Sequence, residues 1–88
     1  MYTKDKNREL YRTLAQITDE QEICHLLEDL CTKKEVENMA ERLFAAKLLM
    51  QGCTYTQVME QVQISSATLS RVSQCVQYGK GYSKLNKK

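Results

Sequence analysis

Apolar residues recur at helical spacing along most of the chain. Leu10, Leu14 and Ile17 mark one face of a first predicted helix, from about residue 4 to residue 17. A second predicted helix follows, and its apolar stripe consists of Ile23, Leu26, Leu27, Leu30 and Cys31. The sequence contains no proline and three glycines, so few residues would interrupt a helix. We therefore predict an all-α fold.

The third predicted helix has a different pattern. It begins amphipathic near Val36, but the stretch from Leu43 to Met50 reads LFAAKLLM and is apolar except at Lys47. A helix that is apolar on every side must be buried on every side. Two short preceding helices cannot surround it. We therefore expect a second copy of the chain to cover part of it, in a symmetric dimer.

Residues typical of helix ends lie between the predicted helices. The predicted pairs of a cap and the residue three positions later are Thr18–Gln21, Thr32–Glu35 and Thr54–Gln57. Gly52 is expected to end the third helix. The fourth helix should run from Thr54 to about Val62, and Ser65 should cap a last helix from about residue 66 to residue 78.

The segment from residue 54 to residue 74, TYTQVMEQVQISSATLSRVSQ, predicts a helix-turn-helix. Its two helices would pack through a small apolar core of Val58, Val62, Ile64, Leu69 and Val72. The small residues that begin the second helix would let it enter the major groove of DNA. The predicted DNA-binding residues are Thr54, Gln57, Ser65, Ser66, Ala67, Thr68, Ser70 and Arg71.

Two residues depart from the usual helix-turn-helix pattern. Met59 stands where many such units carry alanine, and Gln63 stands where the turn commonly carries glycine. Glutamine would be strained in a left-handed turn, so we expect a variant turn. The alternative is an ordinary helical hairpin with a serine cap. Polar residues at the expected exposed positions of the last helix disfavour a protein-docking helix, and these are Ser66, Ser70, Ser73 and Gln74.

Charge is distributed unevenly along the chain. Residues 1–52 carry eight basic and ten acidic side chains, whereas residues 53–88 carry five basic and one acidic. The positive end is where we expect phosphate contacts, although a solvated basic tail would give the same excess. We divide the chain into N-terminal dimerisation helices at 1–53, the helix-turn-helix at 54–78 and a basic, flexible tail at 79–88.

Membrane, metal and enzyme functions receive little support. The sequence has no apolar run of membrane-spanning length and a polar N-terminus, so we expect a cytoplasmic protein with reduced cysteines. It has no C-x-x-C pair, nucleophile elbow or glycine-rich phosphate loop, so we expect no metal, cofactor or enzymatic activity. Two alternatives to DNA binding remain: a helical protein-interaction module, or a thiol-based redox regulator using Cys53 and Cys75.

The chain resembles the Trp-repressor-like superfamily, and within it the YerC/YecD-type branch. The resemblance covers Leu30 to Tyr78 and rests on the string LCTKKEVENMAERLFAAKLLMQG, followed by ISSATLSRV. It implies a bundle of six helices per chain, with the N-terminal helices of two subunits intertwined in a homodimer. It also implies a sequence-specific regulator of transcription that binds double-stranded DNA. Repression by occluding a promoter follows by analogy to the family.

The resemblance further implies a pocket for a small-molecule effector. Arg42 and Arg71 match the two arginines that hold tryptophan in the best-known member, and Thr32 matches a threonine of the same pocket. Val72 and Cys75 stand where that member has glycine and serine. A valine side chain would project into the space of the indole, so we expect any effector to differ from tryptophan. The alternative roles for the two arginines are phosphate contacts or ion pairs with Glu41 and Glu60.

Overall fold

The computed structural model describes residues 5–85, and the described range is helical with short connections. Its elements are α1 (Lys6–Gln16), α2 (Glu20–Leu30), α3 (Lys33–Met50), α4 (Tyr55–Gln61), α5 (Ser66–Tyr78) and a C-terminal 3₁₀ helix (Tyr82–Leu85). The predicted all-α class is confirmed. The predicted helix start at residue 4 and the last three residues of the predicted tail lie outside the described range. None of the helices in residues 5–85 is long and apolar enough to cross a membrane.

The described residues form two compact units, divided between residue 33 and residue 34. The second unit contains nearly all of α3 together with α4 and α5. The division predicted at residue 53 grouped α3 with the N-terminal helices instead. The predicted division separated helices expected to form the dimer from the helix-turn-helix. The role of residues 1–53 in dimerisation stays a prediction.

Aspartates cap both helices of the first unit. The Arg8 backbone N–H donates to Asp5 Oδ1 at 3.1 Å before α1, and the Glu22 backbone N–H donates to Asp19 Oδ2 at 3.1 Å before α2. The cap predicted at Thr18 is therefore wrong by one residue. A carboxylate at this position accepts the same hydrogen bond as a hydroxyl and also interacts favourably with the positive end of the helix. Neither α1 nor α2 contains a buried residue.

The end of α3 is fixed by a glycine. Gly52 has φ +99°, a conformation that favours glycine because it has no Cβ. The N–H of Gly52 donates to the Leu49 carbonyl at 3.0 Å, and the N–H of Cys53 donates to the Leu48 carbonyl at 3.0 Å. This pair of hydrogen bonds is the Schellman motif. The predicted helix stop at Gly52 is confirmed.

The core of the second unit joins α3 to the helix-turn-helix. Its buried apolar residues are Ala45, Ala46, Leu48, Val58, Val62, Leu69 and Val72, with Ile64 partly buried against them. All five residues predicted for the helix-turn-helix core therefore pack as expected. The same helix α3 leaves Leu43 39% exposed and Phe44 48% exposed. A single chain thus does not bury α3 on every side.

The segment after α5 includes a short helix that the sequence did not predict. The Gly79 N–H donates to the Cys75 carbonyl at 2.8 Å, and a Cβ at position 79 would lie 2.5 Å from that oxygen. The chain can approach this closely only at glycine. It then forms the 3₁₀ helix, whose Tyr82 packs against the core. The prediction of a flexible tail from residue 79 did not include this short helix.

Candidate nucleic-acid interface

Helix α5 presents a polar face to solvent and an apolar face to the core. Leu69 and Val72 are buried at the helical spacing that places them side by side. The exposed residues of its first two turns are Ser66, Ala67, Ser70 and Arg71, all of which were predicted to contact DNA. Ser73 was predicted to be exposed but is buried, and its Oγ accepts a hydrogen bond from Gln77 Nε2 at 3.5 Å.

Two hydroxyl groups fix the first turn of α5. Ser65 Oγ accepts a hydrogen bond from the Thr68 backbone N–H at 3.1 Å and donates one to Thr68 Oγ1 at 3.0 Å. The predicted cap is therefore confirmed. Thr68 is half-buried, and its hydroxyl is already engaged with the cap. Its predicted contact with DNA stays a prediction.

Helix α4 begins with the predicted capping box. Thr54 Oγ1 accepts from the Gln57 backbone N–H at 3.2 Å, and Gln57 Oε1 accepts from the Thr54 backbone N–H at 2.8 Å. Both residues are exposed. Since the carbonyl of the Gln57 side chain is held by the box, its amide NH₂ group is the part that could donate to a phosphate. Contacts of Thr54 and Gln57 with DNA stay predictions.

The turn between α4 and α5 is held from α3. The Gln63 backbone N–H donates to Glu41 Oε1 at 3.0 Å. In residues 5–85 no residue other than glycine has a positive φ, so the turn is indeed a variant without a left-handed residue. Sequence patterns gave no sign of Glu41 because helical spacing relates only residues three or four apart, and this bond joins residues 22 apart.

A cavity of about 430 Å³ adjoins α5 on the second unit. Its lining residues are Arg42, Ala67, Thr68, Arg71, Val72, Cys75 and Tyr82. The structure therefore brings together four of the five predicted pocket residues. The fifth, Thr32, lies in the first unit, between α2 and α3. Tyr82 was missed because its segment was predicted to be a flexible tail.

A smaller cleft of about 200 Å³ lies beside the turn. It is lined by Asn38, Arg42, Gln63, Ile64, Ser65 and Thr68. Arg42 thus lines both the cavity along α5 and the cleft beside the turn. Residues of α3 therefore adjoin the helix-turn-helix at its turn as well as in the core.

The four cysteines are free thiols that differ in exposure. Cys24 is the exposed one, and the other three are half-buried. The Glu28 carboxylate raises the pKa of the Cys24 thiol, mainly through its negative charge. The Cys24 thiol also donates a hydrogen bond to Glu28 Oε2 at 3.6 Å. A raised pKa keeps a thiol protonated and unreactive, which disfavours redox sensing at Cys24.

Comparison with known proteins identifies the family. The Trp repressor protein family matches residues 6–86 of the chain. The chain belongs to the Trp repressor family. Proteins of the Trp repressor family are DNA-binding regulators, so the helix-turn-helix described above is the element that defines the candidate interface.

Two relatives place the chain within the Trp repressor family. The YerC protein of Bacillus subtilis (strain 168), which is uncharacterised, is 35% identical over 71 residues, covering 81% of this chain and 68% of YerC. A Staphylococcus aureus protein, provisionally assigned as a Trp repressor, has a crystal structure similar to this chain with a TM-score of 0.86. It is 30% identical, and the match covers 94% of this chain and 84% of that protein. The chain thus belongs to the YerC-type branch of the family, as predicted.

Proposed function

We propose that this chain is a sequence-specific repressor of transcription that binds double-stranded DNA as a homodimer. The observation that carries the proposal is the exposed, polar first half of α5, which stands on a buried core and is fixed by the Ser65 cap. A rigid helix with small residues at its start can enter the major groove and read base edges. Two such helices in a two-fold dimer would meet successive major grooves.

Selection of bound duplexes from a random DNA pool, at near-physiological salt, tests this function. We expect recovery of a palindrome with half-sites about one helical turn apart. Recovery of no motif both without and with added metabolite extract, with only weak and salt-sensitive binding, would contradict sequence-specific recognition. Placing the recovered site between promoter elements in a transcription assay then distinguishes repression from activation.

Arg71 provides a sharper test of the interface. It is exposed on α5 beside the residues predicted to read bases, so we propose that it contacts a phosphate. Arg71→Ala should weaken binding to specific and non-specific duplexes alike. It should also reduce the slope of log binding constant against log salt concentration by about one, since one fewer counterion is released. Arg12→Ala removes the same charge from exposed α1 and serves as the control. An equal loss in both variants would indicate only a general charge effect.

The homodimer is proposed from unburied apolar surface. Helices α1 and α2 have apolar stripes, but neither contains a buried residue. Short helices of this kind are marginal alone and obtain their stability from packing of the apolar face. Leu43 and Phe44 on α3 are also exposed in a single chain. A second copy of the chain offers these surfaces a self-complementary partner.

The cavity along α5 is proposed to bind a small-molecule effector. Its volume of about 430 Å³ is within the range of ligand pockets, and Arg42 and Arg71 favour an anionic group. Val72 lines the cavity, and we propose that its side chain takes up space that a bulky ring would need. We expect tryptophan to leave the melting temperature unchanged, and small carboxylates to raise it by mass action. A rise with tryptophan would overturn the assignment of Val72.

A further inference from the structure

Glu41 of α3 contacts the turn of the helix-turn-helix through a long-range hydrogen bond. Its Oε1 atom accepts from the Gln63 backbone N–H at 3.0 Å, and the two residues are 22 positions apart. Glu41 is half-buried, whereas Gln63 is exposed. Both belong to the second compact unit. The bond therefore fixes the turn to the core helix.

The turn has a donor at this position because α4 ends just before it. The Val62 N–H makes the last helical bond, to the Val58 carbonyl at 3.0 Å. Val62 itself is extended, with φ −127° and ψ 155°, so the next N–H cannot continue the helical pattern. The Glu41 carboxylate accepts that free donor. Hydrogen bonds to a charged group are roughly twice as strong as those between neutral groups.

The bond also explains how the turn forms without glycine. In the described chain, only glycine has a positive φ, so Gln63 does not adopt the left-handed conformation. A left-handed residue would define the path of the chain by its own backbone. Here the path is defined by an acceptor on α3. On the same helix, Asn38 and Arg42 line the cleft whose other wall includes Ser65, the cap of α5.

We propose that Glu41 is a positioning residue for DNA recognition, because its carboxylate fixes the turn and thereby the start of α5 relative to α3. The proposal rests on the proposed DNA-binding function, since the position of α5 has a functional effect only when this helix enters the groove. The role requires an acceptor atom at the end of a side chain as long as glutamate. It does not require the negative charge itself.

Three variants of Glu41 and one control separate these requirements. Glu41→Gln retains the acceptor without the charge, Glu41→Asp retains the charge on a shorter side chain, and Glu41→Ala removes both. Glu37→Ala removes an exposed carboxylate one helical turn earlier and is the control for charge. Each full-length protein is assayed for hydrogen exchange at the Gln63 amide by NMR, and for binding to the selected palindrome and to an unrelated duplex.

Loss of the acceptor should affect both measurements. In Glu41→Ala we expect Gln63 exchange to be about tenfold faster and specific DNA binding about tenfold weaker, consistent with loss of a bond to a charged group. Binding to the unrelated duplex should change less than about threefold, because phosphate contacts tolerate a shifted helix. Glu41→Asp should change in the same direction, and it also tests the proposal if Glu41→Ala does not fold. Glu41→Gln should lie between the unmodified protein and Glu41→Ala in both measurements, because its amide oxygen still accepts the bond but more weakly than a carboxylate. Glu37→Ala should behave as the unmodified protein.

Two results would overturn the proposal. One is unchanged exchange at Gln63 in folded Glu41→Ala or Glu41→Asp. The other is an equal loss of specific binding in Glu41→Gln and Glu41→Ala, which would indicate an effect of charge alone. If the unmodified protein selects no DNA sequence, the proposed function fails instead, and the exchange data still determine whether Glu41 holds the turn.

Discussion

Ser65 fixes the start of α5 through its side chain. Its Oγ accepts from the Thr68 N–H and donates to the Thr68 hydroxyl. The neighbouring Ser66 is exposed and is the first residue of the helix itself. These two serines are adjacent in sequence, yet one stabilises the helix and the other is available to a ligand. They offer a matched test of the two roles.

We expect Ser65→Ala to lower the free energy of unfolding by about 1 kcal/mol, because it removes the helix cap. Ser66→Ala should change it by less than about 0.5 kcal/mol, since an exposed surface position contributes little. Urea denaturation of both variants checks this prediction. Equal destabilisation by the two changes would contradict the assignment of Ser65 as the cap.

Cys24 provides a second test at the residue scale. The Glu28 carboxylate raises the pKa of this exposed thiol, so less of it is thiolate near neutral pH. Glu28→Gln should lower that pKa toward its ordinary value and speed alkylation of Cys24 by iodoacetamide, because the thiolate is the nucleophile. Mass spectrometry of the labelled peptide gives the rate at several pH values. No change in rate would indicate that Glu28 does not control the thiol.

At the scale of elements, Gly52 ends α3 and leads the chain into α4. Its φ of +99° requires glycine, although nothing lies within 4 Å of a Cβ added there. Gly52→Ala should therefore destabilise the protein by about 1–2 kcal/mol through backbone strain alone. Gly81 also has open space but no positive φ, so Gly81→Ala should change stability by less than about 0.5 kcal/mol. Urea denaturation compares the two, and a similar cost for both would contradict the role of φ.

Local sequence signals predicted most of the elements. The Thr54–Gln57 box, the Ser65 cap and the Gly52 stop involve residues a few positions apart, where side chain and backbone meet by helical geometry alone. Helical periodicity predicted the apolar residues that the helix-turn-helix buries, but it did not predict the burial of Ser73. The Thr18 prediction failed because Asp19 offers an equivalent acceptor one residue later.

Contacts between distant residues could not be predicted in this way. Glu41 looks like any charge on a helix surface until the turn is folded against it. Tyr82 follows two glycines that suggest flexibility, yet its ring packs on the core and lines the cavity. Both contacts depend on the tertiary arrangement. Four predicted pocket residues could be placed together because the family resemblance, unlike periodicity, contains information about tertiary structure.

At the scale of the whole molecule, the exposed apolar residues predict association. Phe44 is 48% exposed on α3, so Phe44→Asp should place a charge in the proposed dimer interface and shift the protein toward monomer. Ser70→Asp adds the same charge on the exposed face of α5 and should reduce DNA binding without affecting association. Sedimentation analysis should give twice the chain mass for the unmodified protein and for Ser70→Asp. A monomeric unmodified protein would contradict the dimer.

The hydrogen bond between Glu41 and Gln63 also determines how freely the turn can vary during evolution. It uses the main-chain N–H of position 63, and this group is present in every amino acid except proline. The exposed side chain at position 63 takes no part in this hydrogen bond, so it can be substituted without loss of the contact. A saturation library at position 63 should therefore retain function with nearly every substitution and lose it with proline. Position 41 should accept few replacements, because its side chain supplies the acceptor. Position 63 can therefore vary only as long as position 41 does not.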